Sequence, residues 1–179
     1  SFLNGSILNV GQGQTYSTIQ SAIDASSTGD IIRISPGIYF ENLLVEKDLT
    51  FSSYYMDQHG VFSDDHETYS DNTIIDGSNT GRVITINGGA PEVNGFTIRN
   101  GYAEPDDNNV WPLNEGGGIG AFGSNPVLKN LVVENNEARW GGGIGLNGCW
   151  WPVLENIIIQ GNTALDGAGL FYSGGSSGI

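Results

Sequence analysis

The chain has 179 residues, enough for one domain, of which 28 are glycine and only 15% are charged. Twenty Asp and Glu against six Lys and Arg leave a net charge of −14, and this repulsion argues against anionic partners: nucleic acid, acidic membrane surfaces, and acidic polysaccharides such as pectate or alginate. Cys149 stands alone and cannot form an internal disulfide, and no apolar run of about 18 residues is present to span a bilayer.

Ser17-Thr18-Ile19-Gln20 fits a capping box, and Ile19, Ala22 and Ile23 share one face, so the spacing predicts a short helix over 17–25. Short apolar and β-branched runs follow at Ile31–Ile34, Pro36–Tyr39, Asn42–Val45, Leu49–Ser53, Thr73–Gly77 and Arg82–Ile86, each read as a strand. A polar insertion, 54–72, separates the fourth from the fifth. Its Asp64, Asp65 and Glu67 form an oxygen-rich group of the kind that suits Ca²⁺, although the spacing is not that of an EF-hand loop. His59 and His66 lie on the same segment without Cys partners and do not make a zinc site.

From Phe96 onward the chain repeats itself. Phe96–Asn100 is matched by Leu131–Asn135 and Ile157–Gly161. Gly116–Gly120 returns 25 residues later as Gly141–Gly145 and, 26 beyond that, as Gly167–Leu170; Pro126–Asn130 returns after 26 as Pro152–Asn156. The longer gap between Phe96 and Leu131 implies a second insertion, 104–114, carrying Asp106 and Asp107, a further weak Ca²⁺ candidate, and Trp111. A fixed period built from short apolar runs, Gly and Asn is the signature of a stacked solenoid. Runs of three to five residues broken by Gly cannot form the amphipathic helices of a helical repeat, so the coils are β-strands stacked about 4.8 Å apart.

The expected fold class is therefore all-β, a parallel β-helix of about seven coils in one domain over 1–173, its first coil closed by the helix over 17–25. Alternation would leave Thr97, Val132 and Ile158 outside, and would set Arg99 beside Glu134 as an exposed ion pair worth at most about 1 kcal/mol. Ser1 and the tail 174–179 read as the ends of a module cut from a longer secreted protein, the tail being linker-like; the alternative is a complete small protein whose uncapped C-terminal coil is covered by a partner or in a dimer.

Tyr16–Asp24, then Gly29–Ile32 and Pro36–Asn42, resemble the opening of pectin-lyase-like right-handed parallel β-helix proteins. The Gly-Gly-Gly-Ile coils resemble repeats of polymorphic outer-membrane and other bacterial secreted β-helix proteins. The resemblance covers nearly the whole chain and implies the fold and a right-handed coil. It leaves the activity open, because lyases, hydrolases, adhesins and binding modules share this scaffold.

Function rests on aromatic residues at the turns. Trp150 and Trp151 stand just before Pro152, where the preceding coils have Ser124-Asn125 and Gly89-Ala90, and nothing in a solenoid requires Trp there. Trp140 precedes its Gly triplet, a place held by Glu115 one coil earlier and Asp166 one coil later. Exposed indoles offer flat platforms to the C–H faces of sugars, with Glu115 and Asp166 able to bond hydroxyls on either side. Trp111 and Tyr172 complete the candidate set; the competing reading packs one or more of these rings as a satellite core.

The residues for catalysis are sparse. Lyases of this fold use a convergent Arg or Lys base, usually with Ca²⁺, whereas Arg33, Lys47, Arg82, Arg99, Lys129 and Arg139 fall on different coils. A hydrolase needs carboxylates about 5–5.5 Å or 6.5–9.5 Å apart, and Glu115 and Asp166, two coils apart, would lie about 10 Å from each other with Trp140 between. The expectation is a non-catalytic module, without a required cofactor, that binds a neutral plant-cell-wall polysaccharide of the xylan or β-glucan class. In this it resembles the β-helical carbohydrate-binding modules attached to secreted cell-wall hydrolases, its partners being the polysaccharide and an appended catalytic domain. The alternatives are a surface-protein or adhesin segment that binds protein, and a truncated glycoside hydrolase or polysaccharide lyase.

Overall fold

The computed structural model describes residues 5–54, 56, 73–104 and 114–174. The chain opens with strand β1 (Ile7–Val10) and helix α1 (Ile19–Ala25), then winds as β2 (Ile31–Ile34), β3 (Gly37–Phe40) and β4 (Leu43–Val45). The next coil is β5 (Thr50–Ser53), β6 (Thr73–Asp76) and β7 (Ile84–Asn87); the one after is β8 (Glu92–Arg99), β9 (Tyr102–Ala103) and β10 (Ile119–Phe122). Two regular coils follow: β11 (Val127–Glu134), β12 (Glu137–Ala138) and β13 (Ile144–Asn147), then β14 (Val153–Gln160) and β15 (Leu170–Ser173).

Every strand pairs in parallel with its counterpart on the next coil. One face runs β1-β2-β5-β8-β11-β14; the second runs from β3 through β6 into the C-terminal halves of β8, β11 and β14; the third runs β4-β7-β10-β13-β15. The architecture is a right-handed parallel β-helix, the hand that parallel crossovers take. Its first face has six rungs among the described residues, against the seven or so coils expected.

Register follows the sequence period. Val127 pairs with Val153, Leu131 with Phe96 and Ile157, and Ile119 with both Ile84 and Ile144. Like residues therefore stack inward in columns, and Ile84, Ile86, Phe96, Ile98, Ile119, Leu128, Leu131 and Ile144 are fully buried. Corners need backbone that turns sharply without breaking the ladder. In β8, β11 and β14 the turn falls on Gly95, Asn130 and Asn156, with φ of +87°, +53° and +52°, a region that Gly and Asn enter at least cost.

The asparagines do double work at these corners. Asn130 donates through Nδ2 to Oδ1 of Asn94 at 2.7 Å, and Asn156 donates to Oδ1 of Asn130 at 3.0 Å. A second column satisfies backbone groups at the next corner: the Gly101 N–H donates to Oδ1 of Asn136 at 2.8 Å, and the Asn136 N–H donates to Oδ1 of Asn162 at 2.9 Å. These bonds replace the strand ladder where the chain bends, so buried polar backbone stays paired.

Several expectations change. The helix begins one residue later than the capping box suggests: Thr18 is the N-cap and accepts from the Ser21 N–H, while the Glu41 carboxylate accepts from the N–H groups of Ile19 and Gln20 at 2.8 and 2.9 Å. Gln20 does not close the box, because its amide reaches the backbone of Leu44 on the coil below the helix. Strand β1 has no counterpart among the expected strands. Arg99 sits in register with Glu134 but bonds Asp76 on the other side, Nε to Oδ2 at 2.8 Å, and Glu134 accepts from Gln160 instead. Asp76 is the better partner because it is nearly buried and also accepts from Ser78 and Asn100. Burial opposes its charged form, but these donors together hold its carboxyl below the ordinary value. Thr97 takes its outward position yet is only 4% exposed, so that face is covered there.

Glycine is required where one coil's backbone crosses another. A Cβ on Gly142 would strike the carbonyl oxygens of Thr163 and Ala168 on the next coil, and one on Gly117 would strike those of Glu137 and Gly142. Ala168 continues this column on the last coil and carries its methyl without such a neighbour. Gly142→Ala is expected to cost about 2 kcal/mol or more, lowering the Tm by about 5 °C or more in thermal unfolding, while Ala168→Gly shifts it by less than half as much.

Candidate functional site

The turn from the third face back to the first is built alike on successive coils. Asp48 accepts through Oδ1 from the Ala90 N–H at 2.6 Å. One coil on, the Asn125 N–H donates to the Gly89 carbonyl at 2.8 Å, and its side-chain Oδ1 accepts from the N–H groups of both Trp150 and Trp151, at 2.9 and 2.8 Å. A short polar side chain on one coil thus closes the turn of the next, which frees the side chains at that turn from any structural duty.

On the last of these turns the freed side chains are indoles. Trp150 is 52% exposed and Trp151 is 78% exposed. The turn is anchored from below by Cys149, fully buried, and from the following strand by Tyr172, whose hydroxyl donates to the Cys149 carbonyl at 2.8 Å. Tyr172 is therefore a positioning residue for the indole turn. Its ring continues the inward column of Ile86, Ala121 and Leu146 and is 51% exposed because it lies on the last coil.

The Glu115, Trp140, Asp166 column stands where the period placed it, with parallel bridges from Glu115 to Trp140 and from Trp140 to Asp166. Its chemistry is not the one expected. Glu115 is completely buried and its Oε1 accepts from Nδ2 of Asn147 at 2.9 Å, so it cannot reach a sugar hydroxyl. The reason is the pair of glycines on the outer side of the third face. Arg82 lies across Gly120, donating from Nε to the carbonyls of Glu115 and Gly116 at 2.9 Å each, with its guanidinium 4.9 Å from the Phe122 ring. Glu115 packs over Gly145, where a Cβ would come within 3.0 Å of its own Cβ. Burial draws the Arg82 pKa down to about 10, the Glu115 charge opposing that shift.

Trp140 is half-covered, its ring 6.3 Å from that of Phe171 and 4.9 Å from the Arg139 guanidinium. It stands at the opposite end of β13 from Trp150 and Trp151, at a different corner of the coil, so the structure does not join the three rings into one edge. Asp166 is exposed beside Trp140. Trp111 and the Ca²⁺ candidates Asp64, Asp65, Glu67, Asp106 and Asp107 lie outside the described residues. Among those residues no group of three or more His, Cys, Asp or Glu is placed to hold a metal ion, and no helix is long and apolar enough to cross a membrane.

The residue that sequence reasoning undervalues is Asn125. Its signal is present in the period, because it falls 25 residues before Trp150 and 26 before Trp151, and Asp48 closes the equivalent turn on an earlier coil in the same way.

The parallel ladders and their inward columns decide the fold. It is a right-handed parallel β-helix. No protein-family model matches the chain. A cell surface glycoprotein of Methanothermus fervidus is 47% identical over 49 residues, a match that takes in 26% of this chain and 8% of that protein, so the chain spans less than a tenth of the relative's length. Among solved structures the chain is similar to the pectin methylesterase PemA from Erwinia chrysanthemi, with TM-score 0.48 and 14% identity over 84% of this chain and 54% of the other. It is similar also to the pectin methylesterase from Aspergillus niger, with TM-score 0.37 and 18% identity over 100% and 69%. These likenesses concern the course of the backbone alone.

The burial difference within one column makes a direct test. Glu115→Ala leaves the Asn147 amide without its carboxylate in a buried site and is expected to destabilise by about 1–3 kcal/mol. Asp166→Ala, on the exposed member of the same column, is expected to leave the Tm of thermal unfolding within about 1 °C of the parent.

Proposed function

We propose that this chain is a non-catalytic β-helical module of a secreted or cell-surface protein that binds a neutral glycan at the Trp150-Trp151 turn. The observation that carries the reading is the exposure of two adjacent indoles on a turn whose hydrogen bonds are supplied from elsewhere, by Asn125 and by Tyr172. An indole has only two side-chain torsions to immobilise, so it loses little freedom on binding, and it presents a flat apolar face to the C–H side of a pyranose. The Asn125 amide, half-buried at the same turn, supplies a polar group at the rim. A net charge of −14 disfavours acidic glycans and leaves neutral ones, of which xylan and β-glucan are the first to test.

A surface context is supported by the match to a cell surface glycoprotein, confined though it is to 49 residues. Trp140 with Asp166 forms a second, smaller contact in this reading, on its own corner and independent of the indole turn. Any cleavage of the glycan falls to a separate catalytic domain, because among the described residues Glu115 is withdrawn from solvent and leaves Asp166 without the facing carboxylate a glycosidase would need.

Affinity electrophoresis through gels containing xylan or mixed-linkage β-glucan tests the reading. The parent chain is expected to be retarded, Trp151→Ala and Trp150→Ala to lose that retardation at least about fivefold, and both variants to unfold at the parental temperature. Equal mobility of parent and variants in every neutral glycan would refute it, and release of reducing sugar by the parent would replace it with a hydrolase.

A further inference from the structure

The indole turn is the last of four described turns that lie above one another at one corner of the β-helix. Gly148-Cys149-Trp150-Trp151-Pro152 stacks on Gly123-Ser124-Asn125-Pro126, that on Gly88-Gly89-Ala90-Pro91, and that on Glu46-Lys47-Asp48-Leu49. Backbone bonds tie each to the next: the N–H groups of Glu92, Val127 and Val153 donate to the carbonyls of Leu49, Pro91 and Pro126 at 2.9 Å each. Equivalent positions on neighbouring turns are therefore one coil, about 4.8 Å, apart.

The tips of these turns form a ledge with a wall at one end. The last turn has one residue more than the other three and so carries two indoles; the tip then shrinks to the amide of Asn125 and the methyl of Ala90. A Cβ built on Gly123 or Gly88 would meet no atom within 4 Å, so open space continues beside the tips along the axis of the β-helix. At the far end the Asp48 carboxylate closes the ledge, its Oδ1 occupying the place a Cβ on Gly89 would take.

Polar groups on the ledge are free and opposite in kind. Oδ1 of Asn125 accepts from two N–H groups, which fixes the orientation of the amide and leaves Nδ2 as a donor with no hydrogen bond among the described residues. Asp48 spends Oδ1 on the Ala90 N–H and keeps Oδ2 as an acceptor. Sugar hydroxyls can answer both.

Resting on the glycan reading of the indole turn, we infer which glycan it takes and how the chain lies. The ligand is an extended ribbon of neutral pyranoses, parallel to the helix axis, with one sugar to a coil. It stacks on Trp150 and Trp151 and passes Asn125 and Ala90 to reach Asp48. Rings joined by equatorial bonds at their opposite ends, as in xylan and cellulose, advance by close to one coil spacing per sugar, so each meets the next turn in the same way. Axial linkages, or equatorial linkages that do not face each other across the ring, curl the chain and carry its later sugars off the corner. A chain laid instead along β14 would pass Val153 and run onto the Lys129 and Glu155 charges, whose Nζ and Oε2 are 3.8 Å apart.

Calorimetric titration of the parent with xylo- and cello-oligosaccharides, from di- to hexasaccharide, tests the course of the chain. Affinity is expected to rise at least about tenfold from di- to tetrasaccharide and to level off beyond it, while malto- and laminari-oligosaccharides gain less than about threefold over the same range. Ala90→Ile, which fills the ledge, is expected to bring the tetrasaccharide down to about the affinity of the disaccharide while unfolding at the parental temperature; Val153→Arg, beside the turn on β14, is expected to keep the dependence on length. A parent that binds neutral oligosaccharides with no gain from length, a gain that survives Ala90→Ile, or a gain lost in Val153→Arg overturns the axial ribbon and leaves the indole turn as a glycan site. Absence of binding to every neutral oligosaccharide overturns both.

Discussion

The structure depends on one constraint: each coil's backbone must find its hydrogen bonds in the coils next to it, and it can do so only if every coil, whatever the length of its turns, brings its strands back in register with the last. Strands supply this along the three faces. At the corners, where a ladder would break, the chain uses left-handed Gly and Asn together with side-chain amides that donate and accept between coils, as Asn94, Asn130 and Asn156 do. Several glycines, Gly117 and Gly142 among them, follow from the same constraint, because a Cβ there would meet a neighbouring coil's carbonyl. Insertions such as 54–72 are tolerated because the chain rejoins the stack in register, β6 pairing with both β3 and β8.

Constraint on the backbone leaves latitude at the turns. Where Asn125 holds a turn through its backbone amides, the side chains of that turn are not needed by the fold, and two of the largest apolar side chains in the chain stand there in solvent. Burying indole and exposing it differ by several kcal/mol of lost hydrophobic stabilisation. Such placement asks for a ligand in a way that a scattered exposed Leu would not. The column of Glu115, Trp140 and Asp166 shows the converse, because there a stacked position became a component of the scaffold on one coil and stayed at the surface on another.

Strand positions, register and the capping helix are legible because stacking imposes periodicity on the sequence, and periodicity identifies neighbours. Leu131 beneath Ile157 and Glu115 beneath Trp140 follow from counting alone. Counting cannot reveal where a side chain goes once it leaves its column. Arg99 has Glu134 and Asp76 within reach on either side, and the buried, multiply bonded Asp76 wins. Glu115 is withdrawn because Gly145 on the next coil leaves a space that only the folded shape displays. Counting also merges Trp140 with the Trp150-Trp151 pair, because a period fixes the coil of each residue, while the corner it occupies depends on how strand β13 intervenes. Strand β1 lies outside the repeat and offers no second copy to compare with.

The most direct test of the account is the register between β11 and β14. Lys129 and Glu155 face outward on adjacent coils, with Nζ of Lys129 3.8 Å from Oε2 of Glu155. Cysteines placed at these two positions, about 4.8 Å apart at Cα, suit a disulfide. Lys129→Cys with Glu155→Cys is expected to crosslink nearly completely under mild oxidation and to raise the unfolding temperature, whereas Lys129→Cys with Val153→Cys, one step out of register on the same face, is expected to crosslink poorly. Equal crosslinking of the two pairs, or none in the first, would contradict the stacked coil on which the indole turn rests.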